Sequence, residues 1–166
     1  YNTVNGYVGV VGGGQDNVAG YYAMIGGGLG HVGSGSFSVV SGGTSNTAAG
    51  PYSTVGGGNG NSAAYTSSTI AGGFGNFANG DRGAVGGGYD NSVGYSSTVS
   101  GGEENSAGVY GTVGGGRDNF ALYFGTVAGG DDNSATSYSA AVGGGHNNAA
   151  SGYVAFVGGG ESNIAS

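Results

Sequence analysis

The chain has no cysteine, no tryptophan and no lysine, and only one proline among its 166 residues. Without cysteine there is no disulfide framework and no zinc–thiolate site. Without lysine there is no phosphate-loop lysine, so glycine-rich strings such as Gly26 to Gly35 make no nucleotide cradle. Two arginines stand against nine acids, a formal charge of −7. Nucleic acid and anionic membrane surfaces are held through Lys and Arg, so neither is an expected partner. No apolar run approaches the ~18 residues of a membrane span. The two histidines, His31 and His146, lie eight repeat units apart and form no metal pair within one chain. Neither has a serine-and-acid constellation around it, and no enzyme activity or cofactor is expected. The chain opens at Tyr1-Asn2 and closes at Ala165-Ser166, both in mid-unit, without a signal peptide. It is expected to be a single array, residues 1–166, cut from a longer fibre whose targeting and anchoring parts lie elsewhere.

What is present is one short unit written eleven times. A Val or Ile recurs at Val11, Ile25, Val40, Val55, Ile70, Val85, Val99, Val113, Val127, Val142 and Val157, at gaps of 14 or 15 residues. A small residue and then two glycines follow each one. Three places beyond the glycine pair stands Asn17, Asn46, Asn61, Asn76, Asn91, Asn105, Asn119, Asn133, Asn148 or Asn163, with His31 in that slot in one unit. Two places later comes Ala in nine of eleven units. A near-fixed period of this kind means stacked units, each in contact only with its neighbours. The glycines cluster once per unit, which excludes collagen, and paired glycines every 14 or 15 residues exclude helices.

Runs such as Ser53-Thr54-Val55 place a small and an aliphatic residue two apart, which is strand periodicity. Asn105-Ser106-Ala107 forms the second strand of its unit in the same way. Each unit therefore predicts two short strands and two turns, one coil of an all-β parallel β-solenoid (a β-roll). Val/Ile and the small residue two before it share one face of the first strand, Asn and Ala share one face of the second, and a thin interior of Val, Ala, Ser and Gly is expected. The glycine corner is invariant in length. Length varies only in the turn after Ala, which belongs at the surface.

Three columns are candidates for function. The Asn column is either a structural ladder, amide upon amide or capping the turn backbone, or a ligand-binding row. Eight of nine acids lie between the glycine pair and the Asn, at Asp16, Asp90, Glu103, Glu104, Asp118, Asp131, Asp132 and Glu161. They form a ridge that is either a solubilising face or, at Glu103, Glu104, Asp118, Asp131 and Asp132, an oxygen-rich cluster suited to Ca²⁺. Aromatics gather at the variable turn: Tyr7, Tyr21, Tyr22, Phe37, Tyr52, Tyr65, Tyr95, Tyr110, Tyr123, Phe124, Tyr138 and Tyr153. Only the unit of Val85 lacks one there and carries Asp81-Arg82 instead. Stacked coils make these a ladder that either seals a contact between protomers or binds a glycan or host matrix protein. The residue before each Val/Ile points outward and is never charged, giving a stripe that invites a partner copy. Thr fills only five of those eleven places, without a second Thr rank, which argues against an ice-binding solenoid.

Ser53-Thr54-Val55-Gly56 with Asn61-Ser62-Ala63, and Ser97-Thr98-Val99-Ser100 with Asn105-Ser106-Ala107-Gly108, resemble the head repeats of trimeric autotransporter adhesins, the YadA-like left-handed parallel β-roll. The Gly-Gly-x-x-Asn-x-Ala array is also similar to the glycine-rich shafts of tail-fibre-type proteins. The glycine corner is longer than in the adhesin repeats, and Asn stands where they have Ala or Ser. Both resemblances imply a homotrimeric, extracellular fibre of bacterial or phage origin, structural or adhesive in role, and identify no ligand. A self-assembling filament with no receptor is the alternative.

Overall fold

The computed structural model describes every residue, Tyr1–Ser166. Twenty-three strands of two residues each run from β1 (Thr3–Val4) and β2 (Val10–Val11) to β22 (Phe156–Val157) and β23 (Ile164–Ala165), with no helix. The odd-numbered strands form one twelve-stranded sheet and the even-numbered strands an eleven-stranded sheet. All pairs are parallel and in phase, as in Thr69 opposite Thr54 and Ala84, and Ile70 opposite Val55 and Val85. The expected parallel β-solenoid of about eleven coils is therefore the fold. At ~4.8 Å per coil the rod is about 50 Å long.

The inner faces carry the core that the repeat predicts. Twenty-one buried apolar residues form one cluster, built from the Val/Ile column, the Ala column and a few small residues. Ile25 and Ile70 are its largest members. The core is one side chain deep from each sheet, so it is sealed by the turns as much as by the strands.

Both turns are hydrogen-bonded along the rod axis, and this accounts for an unusual backbone. Twenty non-glycine residues have φ near +50 to +60°. All lie in the turns. At the glycine corner the residue before the Asn is the one, as at Asp118 (φ 52°) and Asp132 (φ 55°). At the variable turn it is the last turn residue, as at Tyr22, Phe37, Tyr52, Arg82, Tyr110 and Phe124. Strand N–H groups donate toward the following coil, as from Thr112 to Gly125 O. The positive φ turns one peptide the other way. Tyr110 N–H donates back to Tyr95 O, and Asp118 N–H back to Glu103 O. The left-handed conformation costs an L-residue ~1–2 kcal/mol. An axial hydrogen bond worth about 1 kcal/mol, and the avoided cost of an unpaired peptide, offset it. Single bridges join every glycine corner to the next, from Gln15–Leu29 to His146–Glu161, as a third ladder between the two sheets.

Candidate functional site: the two turn columns

The Asn column lies inside. Nine of its residues, from Asn17 to Asn148, are fully or almost fully buried, and only Asn163 at the end of the row is exposed. Asn119 shows the pattern. Its side-chain N–H₂ donates to Gly115 O within its own corner (3.0 Å), to Gly130 O of the next coil (2.8 Å) and to Asn105 Oδ1 of the previous one (3.0 Å). Its backbone N–H also reaches Asn105 Oδ1 (3.0 Å), and its own Oδ1 receives the N–H of Asn133 (3.1 Å). The side chain thus caps its corner and links three coils. The amides are consumed by these bonds, which leaves no free row for a ligand.

The glycine pair makes room for this. Gly116 stands at φ +91°, and a Cβ there would lie 2.0 Å from Gly130 O and 2.8 Å from Asn119 Nδ2. The backbone of the next coil occupies the place of a side chain.

His31 interrupts the column. Its Nδ1 accepts the Asn46 N–H (3.1 Å), and its own N–H reaches Asn17 Oδ1 (2.9 Å). It is fully buried, yet its Nε2 has no partner. In the same coil β5 (Val32–Gly33) meets β7 (Thr47–Ala48) at one residue pair, where every other neighbouring pair of strands meets at two. Gly33 replaces the core Ala, and a Cβ built on it finds ordinary contacts at 3.4–3.5 Å from Ser38, Ala23 and Ile25. This coil carries a polar orphan and a missing methyl.

The acid ridge is exposed. Arg117 makes a two-pronged ion pair with Asp131 (2.8 and 3.0 Å), which holds the Asp131 carboxyl below its ordinary range, and His146 Nδ1 lies 3.2 Å from the same carboxylate. Glu104 is pushed up by its hydrogen bond to Asp118 and by that neighbour's charge. No three of the acids and histidines come together as a metal-binding group. Glu103, Glu104, Asp118, Asp131 and Asp132 thus run along the ridge, partly engaged with Arg117 and with each other.

The aromatic column lies outside, at the other edge of the coil. Tyr7, Tyr22, Phe37, Tyr52, Tyr95, Tyr110, Tyr123, Phe124, Tyr138 and Tyr153 are all exposed, from 37% at Tyr95 to 76% at Tyr153. Tyr22, Phe37 and Tyr52 stack at 4.7 and 5.3 Å with planes within 7°. Tyr110 stacks on Phe124 at 4.5 Å and Tyr138 on Tyr153 at 5.6 Å. Tyr7 on Tyr22 and Tyr95 on Tyr110 meet edge to face, and Phe124 and Tyr138 are tilted. The stack breaks at Thr66-Ser67 and Asp81-Arg82. There the Arg82 guanidinium lies 4.8 Å over the Tyr95 ring and donates to its hydroxyl, while Asp81 accepts the Thr66 N–H (3.0 Å). Four pairs of rings are thus stacked face to face and Arg82 covers one face of Tyr95, while Tyr123 has no ring partner.

Sequence reasoning did not find the second stack, Phe74 on Tyr89 (5.4 Å), at the glycine corner. These two sit on the ridge otherwise read for its charge, in the coils where the main column is broken. Their spacing of one repeat was the available signal. The surface has no pocket. No protein-family model matches the chain, and no curated protein matches it in sequence.

Proposed function

We propose that the chain is a non-enzymatic structural segment of an extracellular bacterial or phage surface fibre, and that copies of it associate side by side through the aromatic column of the variable turn. The observation that carries this reading is the orientation of the rings. A saccharide stacks on an exposed aromatic face, and here four pairs of rings spend facing faces on each other within the column. A row of half-exposed rings, most of them Tyr, suits a protein surface, where Tyr supplies large contact area with a polar tip. The constant coil spacing makes a second copy the natural complement. The acid ridge lies at the opposite edge of the coil, so this contact keeps the like-charged ridges apart.

Replacing Tyr123 and Phe124 together by Ser tests the reading by native mass. The expected result is a defined oligomer for the unaltered chain and a folded, weaker-associating chain for the variant. Unchanged assembly would remove the column from the contact. Retained assembly with lost adhesion to a protein- or saccharide-coated surface would make it a receptor-binding face instead.

A further inference from the structure

Resting on that self-association, we propose that two copies meet parallel and in register, and that Asp81 of one copy pairs with Arg82 of the other to set the register. Among the eleven variable turns, Asp81 and Arg82 are the only charged residues at the turn positions. They occupy adjacent places in one turn, Asp81 on the side of the odd-numbered sheet and Arg82 on the side of the even-numbered one. When two such corners face each other with the rods parallel, each copy's first turn position meets the other's second. Asp81 then faces the partner copy's Arg82 twice over, as a self-complementary contact requires. With the rods antiparallel about this turn, Arg82 would face Arg82 and Asp81 would face Asp81.

The same parallel arrangement matches the rest of the column. Most turns hold one aromatic and one smaller residue, as in Pro51-Tyr52, Tyr95-Ser96 and Val109-Tyr110. Parallel contact sets each ring against the smaller neighbour on the other copy. A slip by one coil would press Arg82 and Asp81 against Tyr95-Ser96 or Thr66-Ser67 and leave charges unpaired in an aromatic contact, which is strongly disfavoured. A single polar pair in an otherwise uncharged seam specifies register in this way. In the free chain Arg82 rests on its own Tyr95, and Asp81 uses one oxygen on Thr66 N–H, so both are held at the surface. The area is sufficient. The ten rings of the column, 37–76% exposed, offer about 1,000 Å² per copy at ~200 Å² each, against the ~800 Å² per partner of a standard interface.

Two measurements test this on the full chain. Asp81→Arg and Arg82→Asp each leave the turn with two charges of one sign, and each variant alone is expected to associate at least tenfold more weakly than the unaltered chain. Mixed, they are expected to regain association as one-to-one heteropairs in native mass spectra. If each variant associates alone as well as the unaltered chain, the pair does not set the contact. The second measurement leaves the turn intact. The chain has no native cysteine, so Ser139→Cys takes a single spin label. Parallel copies in register place two labels within about 20 Å, from packed surfaces ~10 Å apart plus the label arms. Antiparallel copies centred on Arg82 place them about 40 Å apart, eight coils at ~4.8 Å. The long distance would overturn the parallel register while leaving self-association standing. A monomeric unaltered chain would overturn both.

Discussion

The two turns of each coil solve one problem with opposite side-chain arrangements. Both must carry the backbone round a corner while keeping a hydrogen bond to the neighbouring coil, and both do it with a residue at positive φ. At the glycine corner the capping side chain points inward. Asn119 and its counterparts fix the distance between corner and core, so no residue can be added, and Gly116 must stay bare because Gly130 O occupies its Cβ position. At the variable turn the positive-φ side chain points outward. Tyr22, Arg82, Ser96 and Val154 all serve, because the backbone bond is the same and nothing inside depends on the side chain. Where a column is buried its identity is set by the fold, and where it is exposed its identity is open to selection for contact.

The sharpest way to break this contrast is at the glycine corner. Gly116→Ala should disrupt its coil, since both φ +91° and the 2.0 Å approach of Gly130 O forbid the methyl without backbone movement; a loss of several kcal/mol, on the order of 3–5, is expected in chemical denaturation. Asn119→Ala should follow at about 3 kcal/mol, because it leaves Gly115 O and the Asn133 N–H without their partners in a buried row. Restoring the repeat where it fails should act in the other direction. His31→Asn removes the buried orphan Nε2 and Gly33→Ala fills open core space, so each should stabilise by about 1 kcal/mol. A destabilised His31→Asn variant would show that the imidazole packs better than the amide it replaces.

Changes at the variable turn should separate folding from assembly. Tyr110→Ser removes an exposed ring and should cost the coil about 1 kcal/mol or less while weakening association. The smallest effect belongs to the acid ridge. Asp131 is held below its ordinary value of 3.8 by Arg117, so its contribution is present above that value and is lost as pH falls through the lower folded value. The difference in melting temperature between the unaltered chain and Asp131→Asn should therefore be small at neutral pH and vanish in acid. A difference that grows on acidification would mean the pair does not act as drawn.

Much of this contrast was legible in the residues themselves. The period, the inward parity of Val/Ile and Ala, and the fixed and variable turns follow from side-chain size and spacing, because a solenoid repeats its contacts once per coil. That Asn shares a face with Ala was legible for the same reason, while its burial came from the fold. The left-handed backbone of Tyr22, Phe37 and Phe124 was not, since aromatic residues disfavour it and only the axial bond to the neighbouring coil selects it. Ring orientation was also out of reach. It depends on how Tyr52 or Tyr110 leans from a shared edge, and composition does not report it. Arg82 was visible only as the interruption of a row, and its place over Tyr95 came from the fold.

Amide hydrogen exchange resolved to single residues tests most directly the stacking of both turns into one axial ladder. The N–H groups of Tyr110 and Asp118, which donate to Tyr95 O and Glu103 O, should exchange within about tenfold of strand amides such as Thr112. Fast exchange at Tyr110 beside protected strands would mean that the variable turn is not held along the axis, and the aromatic column would lose the rigid base on which its contact depends.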